Sequence, residues 1–174
     1  QKNRHFVLSL LYMATSIDGF IAKTDGDSDW VSPVDSKIFE QKMAEAGCIV
    51  VGKRTFDQFY NDLYPVKGVT NIVVTSDSSR TDDHSNVVFV NSAKNALDVA
   101  NQKGHDKTML IGGGNINGAF FSAGLVNEIF LSVHPLALGS GIKVFENFEG
   151  LVNLELLAVT QLDQSLVQLH YKVK

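Results

Sequence analysis

The sequence predicts an α/β fold with a mostly parallel central sheet, helices on both faces and a C-terminal antiparallel hairpin. Apolar runs of strand length alternate with amphipathic segments of helix length over residues 6–121. Strands with few helices between them follow from residue 128. The last two alternate apolar and polar residues with a period of two, which is typical of antiparallel strands. With neither repeat nor linker, the chain is predicted to be one domain, residues 1–174.

The first half of the chain contains the clearest helix signals. A strand is predicted at Phe6–Met13, followed by a loop rich in glycine and aspartate from Ser16 to Ser32. A helix is predicted from Pro33 to Ala46, because proline is favoured in a first helical turn and Gly47 can end the helix. The next elements are a strand Cys48–Val51, a helix from Gly52 to Phe59, and strands Asn71–Thr75 and Val87–Val90.

The second half leads through a glycine-rich joint into the late strands. Ser92 is a favoured N-cap for a helix that runs to about Lys103 and ends at Gly104. A strand at Lys107–Ile111 then enters three glycines, after which another helix begins. The remaining predicted strands are Glu128–Val133, a stretch near Lys143–Phe145, Leu154–Thr160 and Leu166–Val173.

Composition excludes several classes of function. The formal net charge is −4 and the 15 Lys and Arg residues are scattered, so we expect no nucleic-acid partner. The first apolar run is too short to span a bilayer, so we expect no membrane association. The single Cys48 cannot form an intramolecular disulfide and is predicted to be a buried strand residue, which favours a cytoplasmic location.

The most informative segment is Thr108–Phe121, in which a buried strand meets Gly-Gly-Gly and then opens a helix. Such a joint directs backbone N–H groups and the positive end of a helix dipole towards one point, where a phosphate can bind. Glycine permits the close approach because it has no β-carbon. The alternative is that the glycines only let the chain leave a strand, and this motif by itself does not decide between the two.

An ordered set of short motifs resembles the dihydrofolate reductase-like family over most of the chain, from Met13 to Val173. The motifs are Ala14-Thr-Ser-Ile-Asp-Gly-Phe-Ile-Ala22, Asp29-Trp-Val-Ser-Pro-Val-Asp-Ser-Lys-Ile-Phe39, Val51-Gly-Lys-Arg-Thr-Phe56, Asn71-Ile-Val-Val-Thr-Ser76, Ile111-Gly-Gly-Gly114 and Glu128-Ile-Phe-Leu-Ser-Val133. The first of these, together with Pro135–Gly141, is most similar to the branch that contains the C-terminal reductase domain of the bifunctional riboflavin biosynthesis deaminase-reductase.

The resemblance implies NADPH as cofactor, bound across the carboxyl ends of the central strands. Two helix N-termini would hold its pyrophosphate, one after Gly52 and one in the segment Ile111, Gly112, Gly113, Gly114, Asn115 and Ile116. Thr55 matches a hydroxyl donor to the pyrophosphate. Charged and hydroxyl side chains would surround the adenosine 2′-phosphate, namely Lys53 or Arg54 with Thr75 and Ser76, and with Arg80 close in sequence.

The resemblance also implies how the reacting end of the site is built. Ala14, Ile21 and Ala22 match positions that wall in the nicotinamide, while Asp18 either belongs to this cofactor set or is a turn residue of Asp18-Gly19. Asp35 matches the active-site carboxylate of folate reductases, and Ser132 matches the hydroxyl that supports it. An equally open alternative is that Asp35 offsets the dipole in the first turn of a helix. Trp30, Phe39, Tyr60 and Tyr64 are candidate substrate contacts, although aromatic residues at such spacing are often core.

Some positions depart from the family. Folate reductases carry an aromatic residue where this chain has Asn117, and only Lys67 is basic between Phe56 and Val69, so folate itself is disfavoured. On the substrate side only Lys23 and Lys37 could hold the phosphate of a sugar phosphate. The one cysteine cannot supply the zinc site of a deaminase domain, so we expect a free-standing reductase domain without a metal.

The sequence therefore predicts an NADPH-dependent reductase of a small heterocyclic or carbonyl substrate, with dihydrofolate reduction or an NADPH-binding module without turnover as alternatives. Relatives in the riboflavin branch form homodimers, and the late strands with Pro135–Gly141 are the candidate interface.

Overall fold

The computed structural model describes residues 6–174. Within them the strands are β1 (Leu8–Thr15), β2 (Phe20–Ala22), β3 (Cys48–Gly52), β4 (Thr70–Val74), β5 (Val87–Val90), β6 (Lys107–Leu110), β7 (Glu128–Val133), β8 (Ile142–Lys143), β9 (Leu154–Gln161) and β10 (Val167–Val173). The helices of this part of the chain are α1 (Pro33–Ala46), α2 (Lys53–Gln58), α3 (Ala93–Gln102) and α4 (Gly114–Ser122).

Eight of the strands form one sheet in the order β5-β4-β3-β6-β1-β7-β10-β9. The strands from β5 to β7 in this order are parallel, and β10 runs antiparallel to both β7 and β9. The predicted fold class is therefore confirmed, including the hairpin of β9 and β10. Because β1 lies between β6 and β7, its carboxyl end lies in the middle of the sheet.

Two apolar cores lie on the two faces of the sheet. Leu11, Val50 and Leu110 belong to the core under α3 and α4, which also buries Cys48, as expected. Tyr12 and Val51, their neighbours in the alternating strand pattern, belong to the core under α1 and α2. Strands buried on both faces explain the continuous apolar runs that the sequence shows in β3 and β4.

The helix α1 has the bounds that the sequence predicted. Its N-cap is Ser32, whose hydroxyl oxygen accepts a hydrogen bond from the Val34 N–H at 3.2 Å. At the other end Gly47 adopts a left-handed conformation with φ 73°, and its N–H donates to the Met43 carbonyl. These caps hold the first turn of the helix, which carries Asp35, in a defined place.

One late strand lies elsewhere than the sequence suggested. The stretch predicted near Lys143–Phe145 forms β8, which pairs with β2 in a separate two-stranded sheet, and β2 itself lies within the predicted loop. At Gly141 the chain passes so close that a Cβ would lie 2.2 Å from the Ala22 carbonyl oxygen. The pairing therefore depends on a long-range backbone contact that no local pattern reveals.

The helix α4 packs equally closely on the segment that includes β8. A Cβ at Gly114 would lie 2.5 Å from the Lys143 carbonyl oxygen, and one at Gly118 would lie 1.9 Å from that of Glu146. Buried Asn117 donates to the Val144 carbonyl at 3.0 Å between these two glycines. The unusual Asn117 therefore fastens the segment to the helix.

Replacement of Gly118 by alanine is expected to destabilise the protein by about 1–3 kcal/mol, because the added methyl group meets backbone that has no room to move. The free energy of unfolding in urea measures this effect. Ala119→Ser is the control, since Ala119 is exposed on the same helix and its change should stay within about 0.5 kcal/mol. Equal stability of Gly118→Ala and the parent would contradict the described packing.

Candidate active site

A cleft of about 860 Å³ opens at the carboxyl ends of β1, β3 and β6. Ligands of open α/β sheets bind at such strand ends. The cleft is lined by main chain and side chains from several elements: Tyr12, Met13, Ala14, Ile21, Ala22, Gly26, Ser28, Asp29, Val31, Asp35, Ser36, Phe39, Glu40, Gly52, Lys53, Arg54, Thr55, Gln58, Phe59, Asp62, Leu63, Tyr64, Ile111, Gly112, Gly113, Gly114, Asn115, Ile116, Ile142, Glu146 and Asn147.

The part of the cleft lined by residues 52–55 and 111–116, here named the glycine end, brings two chain turns together. The Gly52 N–H donates to the Gly112 carbonyl at 2.8 Å, and the peptide bond between Gly112 and Gly113 is cis. A Cβ on Gly113 would lie 3.2 Å from Thr55 Oγ1, so this hydroxyl lies against the glycines. The first N–H groups of α4 have no acceptor within the helix and are available for an anion.

Most of the residues proposed for the cofactor line this cleft. They are Ala14, Ile21, Ala22, Gly52, Lys53, Arg54, Thr55, Ile111, Gly112, Gly113, Gly114, Asn115 and Ile116. Asp18, Thr75 and Ser76 lie outside the lining. Thr75 directly follows β4 and its hydroxyl oxygen accepts from the Asp77 N–H at 3.1 Å, while Ser76 is exposed.

Asp18 has a structural partner instead. Its carboxylate accepts from the Gly139 N–H at 2.8 Å and from the Leu138 N–H at 3.1 Å. The Ser16 hydroxyl also donates to it, and this bond followed by that from Gly139 lowers the pKa of Asp18 to about 2. Asp18 therefore joins the loop after β1 to the loop after β7.

The three cations proposed for the 2′-phosphate are not equivalent. Lys53 and Arg54 are exposed at the start of α2, where they line the cleft. Arg80 instead forms an ion pair with Asp57 and lies over the Phe89 ring, 5.4 Å from its centroid. The hydrogen bonds from Arg80 hold the pKa of Asp57 below its ordinary value, and the charges of Arg80 and Lys53 add to this effect.

At the other side of the cleft Asp35 is almost completely buried, with 1% of its surface exposed. The Tyr12 hydroxyl donates to its carboxylate at 2.5 Å. The Gln168 amide donates to the Tyr12 hydroxyl oxygen and to Ser132 Oγ, both at 3.1 Å, and Ser132 Oγ lies 3.3 Å from that oxygen. Ser132 therefore supports Asp35 only through Tyr12, and it does not itself line the cleft.

A buried histidine joins the same region to the N-cap of α1. His134 accepts from the Ser32 N–H through Nε2 at 3.0 Å and donates through Nδ1 to the Ser132 carbonyl at 2.8 Å. A backbone N–H can only donate and a carbonyl can only accept, so the ring is a neutral tautomer with its hydrogen on Nδ1. Trp30 packs edge-on against this ring with centroids 5.3 Å apart, outside the cleft lining.

The aromatic residues proposed for the substrate divide into two groups. Phe39 and Tyr64 line the cleft, and Phe39 also packs on Tyr12 with ring centroids 5.4 Å apart. Tyr60 points elsewhere, since its hydroxyl donates to Asp82 at 2.8 Å and its ring packs on Phe56. Tyr64 is buried in the core under α1 and α2, so it is both core and cleft wall.

Sequence reasoning missed Tyr12, Gln168 and His134. Gln168 lies on the polar face of an alternating strand, and the alternation predicts a solvent-exposed residue although Gln168 is 8% exposed. Tyr12 lies within an apolar run of the sequence, yet a hydroxyl-bearing ring in a buried strand needs a partner. That requirement is the signal that could have pointed to Asp35.

The remaining expectations concern metals and membranes. Within residues 6–174 no group of three or more His, Cys, Asp or Glu side chains is arranged to hold a metal ion. Among the helices of that region none is long and apolar enough to cross a membrane.

Comparison with known proteins adds a family to this geometry. Residues 9–168 match the family described as RibD C-terminal domain. The chain is 29% identical over 170 residues to uncharacterized protein YwjB of Bacillus subtilis, covering 94% of this chain and 96% of YwjB.

Two solved structures share the fold. One is a diaminohydroxyphosphoribosylaminopyrimidine deaminase/5-amino-6-(5-phosphoribosylamino)uracil reductase from Thermotoga maritima, with a TM-score of 0.77, 17% identity, and coverage of 99% of this chain and 58% of that one. The other is dihydrofolate reductase from Enterococcus faecalis complexed with NADP(H), with a TM-score of 0.77, 21% identity, and coverage of 96% of both chains.

Two buried tyrosines make the stability of the fold sensitive to alkaline pH. Burial raises the pKa of Tyr12 and of Tyr64 above the ordinary value, and in Tyr12 the hydrogen bond to Asp35 adds to this effect. The unfolded chain loses these protons near pH 10 but the folded chain does not. The stability is therefore complete below about pH 10 and decreases above it by about 1.4 kcal/mol per pH unit for each tyrosine.

Urea unfolding between about pH 8 and 11 measures this slope, which should be smaller in Tyr64→Phe than in the parent. Tyr171→Phe is the control for loss of a hydroxyl, because Tyr171 lies half-buried on β10. An unchanged slope in Tyr64→Phe would show that this phenol ionises equally in both states.

Proposed function

Because this chain belongs to the RibD C-terminal domain family, a family of reductases, we propose that it is an NADPH-dependent oxidoreductase that reduces a small heterocyclic or carbonyl substrate. The observation that carries the proposal is the cleft itself. It joins a glycine end suited to a pyrophosphate with a buried carboxylate, Asp35, on its other side. A dinucleotide that spans the two would place its nicotinamide beside Asp35.

In the proposed complex the glycine end holds the phosphates. The free N–H groups at the start of α4 and the Thr55 hydroxyl would donate to the pyrophosphate, and Lys53 and Arg54 would supply positive charge. We assign the 2′-phosphate of NADPH to Lys53, with Thr75, Ser76 and Arg80 as further candidates. Asp57 and Asp77 lie within electrostatic reach of Lys53 and Arg80, so they weaken the field that favours NADPH over NADH.

The nicotinamide would lie against small and apolar residues. Ala14 at the end of β1 and Ile21 and Ala22 in β2 line the middle of the cleft, where small side chains allow close contact with a planar ring. Bound NADPH supplies the hydride. The protein supplies orientation and the exclusion of water around the reacting atoms.

Asp35 would serve the substrate in one of two ways. Hydride addition to a C=N or C=O bond leaves a nitrogen or oxygen that must gain one proton. Asp35 could deliver that proton and be reprotonated from solvent, or it could accept hydrogen bonds from substrate N–H groups. Tyr12 donates to one carboxylate oxygen in either case, so Ser132 and Gln168 act as positioning residues through Tyr12.

We also propose that two copies associate through β9. This strand lies at the edge of the sheet, and Leu156, Leu157 and Val159 on it are between 44% and 58% exposed. Leu151 and Val152 just before it are exposed as well. An unpaired strand edge with apolar side chains is a liability that a second copy would cover. A cytoplasmic location agrees with the buried, unpaired thiol of Cys48.

Calorimetric titration with NADPH and, in parallel, NADH tests the cofactor assignment. We expect NADPH to bind more tightly, and Thr55→Ala to weaken its binding by about 1–2 kcal/mol through loss of a hydrogen bond to a charged group. Thr160→Ala, exposed on β9 at the far edge of the sheet, should leave the dissociation constant unchanged. Binding of neither nucleotide would overturn the proposed function.

Sedimentation velocity tests the association. The parent should sediment as a dimer, and Val159→Glu should shift it towards the monomer because a charge would be buried against a second copy. Thr81→Glu adds the same charge to the exposed loop next to β5, at the opposite sheet edge, and should remain dimeric. A monomeric parent would contradict the proposal.

A further inference from the structure

The charges that line the cleft differ between its two sides. Lys53 and Arg54 are the basic residues of the described lining, and both belong to the glycine end. One carboxylate, Glu146, also lies beside this end, where it packs against Gly114 and accepts from the Lys143 N–H at 2.9 Å. The side formed by α1, residues 26–31 and residues 59–64, here named the carboxylate end, is lined instead by Asp29, Asp35, Glu40 and Asp62. These four carboxylates surround the space that the proposed substrate would occupy.

The four carboxylates of the carboxylate end form no ion pair with the basic side chains of the described residues. Among the ion pairs of residues 6–174, none contains Asp29, Asp35, Glu40 or Asp62. The two lysines that the sequence suggested for a substrate phosphate are placed otherwise. Lys23 pairs with Asp27 at 3.3 Å, and neither Lys23 nor Lys37 lines the cleft.

Several backbone N–H groups at the carboxylate end already have acceptors within the protein. The Asp29 N–H donates to the Asp27 carboxylate at 2.8 Å, and those of Asp62 and Leu63 donate to the Phe59 carbonyl. At the start of α1 the Val34 N–H is taken by the Ser32 hydroxyl and the Ser36 N–H by the Ser32 carbonyl. These five N–H groups are therefore used within the protein and are not available to an anion.

The charge pattern has a direct consequence for recognition. An anionic group placed among four carboxylates is repelled, most strongly at buried Asp35, because solvent partly screens the charges of the other three side chains, which are exposed. A neutral or cationic group is accepted, and Asp35, buried with one oxygen bonded to Tyr12, can receive N–H donors from it.

We infer that the substrate of this reductase is a neutral or cationic nitrogen heterocycle that carries neither a phosphate nor a carboxylate group. The inference rests on the proposed function. It also separates this chain from the T. maritima reductase, whose named uracil carries a phosphoribosyl group.

Calorimetry on the NADPH-saturated protein tests the inference with a pair of probes of almost the same shape. 2,4-Diaminopyrimidine-6-carboxamide presents amino N–H groups to a carboxylate, together with a ring N–H group when the ring is protonated, and the 6-carboxylate differs from it by one negative charge. The carboxamide should bind at least about tenfold more tightly than the carboxylate, since like charges oppose binding. Ribose 5-phosphate should neither bind nor compete with the carboxamide.

Variants connect the preference to the carboxylate end. Glu40→Gln combined with Asp62→Asn should reduce the ratio of the two dissociation constants, because two exposed charges at the cleft are removed. Glu45→Gln makes the same change on α1 outside the cleft lining and should leave the ratio as in the parent.

The outcomes separate the two claims. Failure of NADPH to saturate the protein at the start overturns the proposed function. With NADPH bound, the inference is overturned if the carboxamide does not bind, if the carboxylate or ribose 5-phosphate binds as tightly as the carboxamide, or if the double variant leaves the ratio unchanged.

Discussion

The hydrogen bond from the Tyr12 hydroxyl to the Asp35 carboxylate is the contact on which the geometry of the cleft depends. It joins the central strand β1 to the first turn of α1 across the core. Gln168 donates to Tyr12 from the antiparallel strand β10, so this hydroxyl connects the parallel and the antiparallel parts of the sheet. Burying a carboxylate without such a donor costs free energy of folding, which explains why several elements converge on Asp35 and Tyr12. Asp35 is thus held in place before any ligand binds.

The two sides of the cleft differ in electrostatics because different elements build them. The glycine end consists of chain turns whose free N–H groups and neighbouring cations favour an anion. The carboxylate end consists of a helix and loops whose charged side chains in the cleft lining are all acidic. A dinucleotide phosphate and an uncharged or cationic heterocycle complement these two environments. The proposed specificity therefore follows from placement of charge as much as from shape.

Glycine is needed at different positions of this region for different physical reasons. At Gly113 a side chain would meet the Thr55 hydroxyl at the proposed phosphate site. Gly114 and Gly118 face the main chain of residues 142–146 instead, and there the absence of a Cβ lets a distant segment pack on α4. The close packing on α4 also fixes one wall of the cleft, through Ile142 and Glu146.

The sequence by itself determined the order and type of most elements, because apolar periodicity and caps such as Pro33 and Gly47 act within one element. It also indicated the glycine end, where Gly52 and Gly112 each follow a strand and parallel strands bring such ends together. Only the tertiary structure decided the rest. Tyr12, the partner of Asp35, lies 23 residues away, and Gln168, which donates to Tyr12, is 156 residues from Tyr12. The pairing of β2 with β8 needs contact across the chain, and the charge of the carboxylate end sums residues from three separate segments. Such contacts depend on the three-dimensional packing of surfaces, which local patterns do not encode.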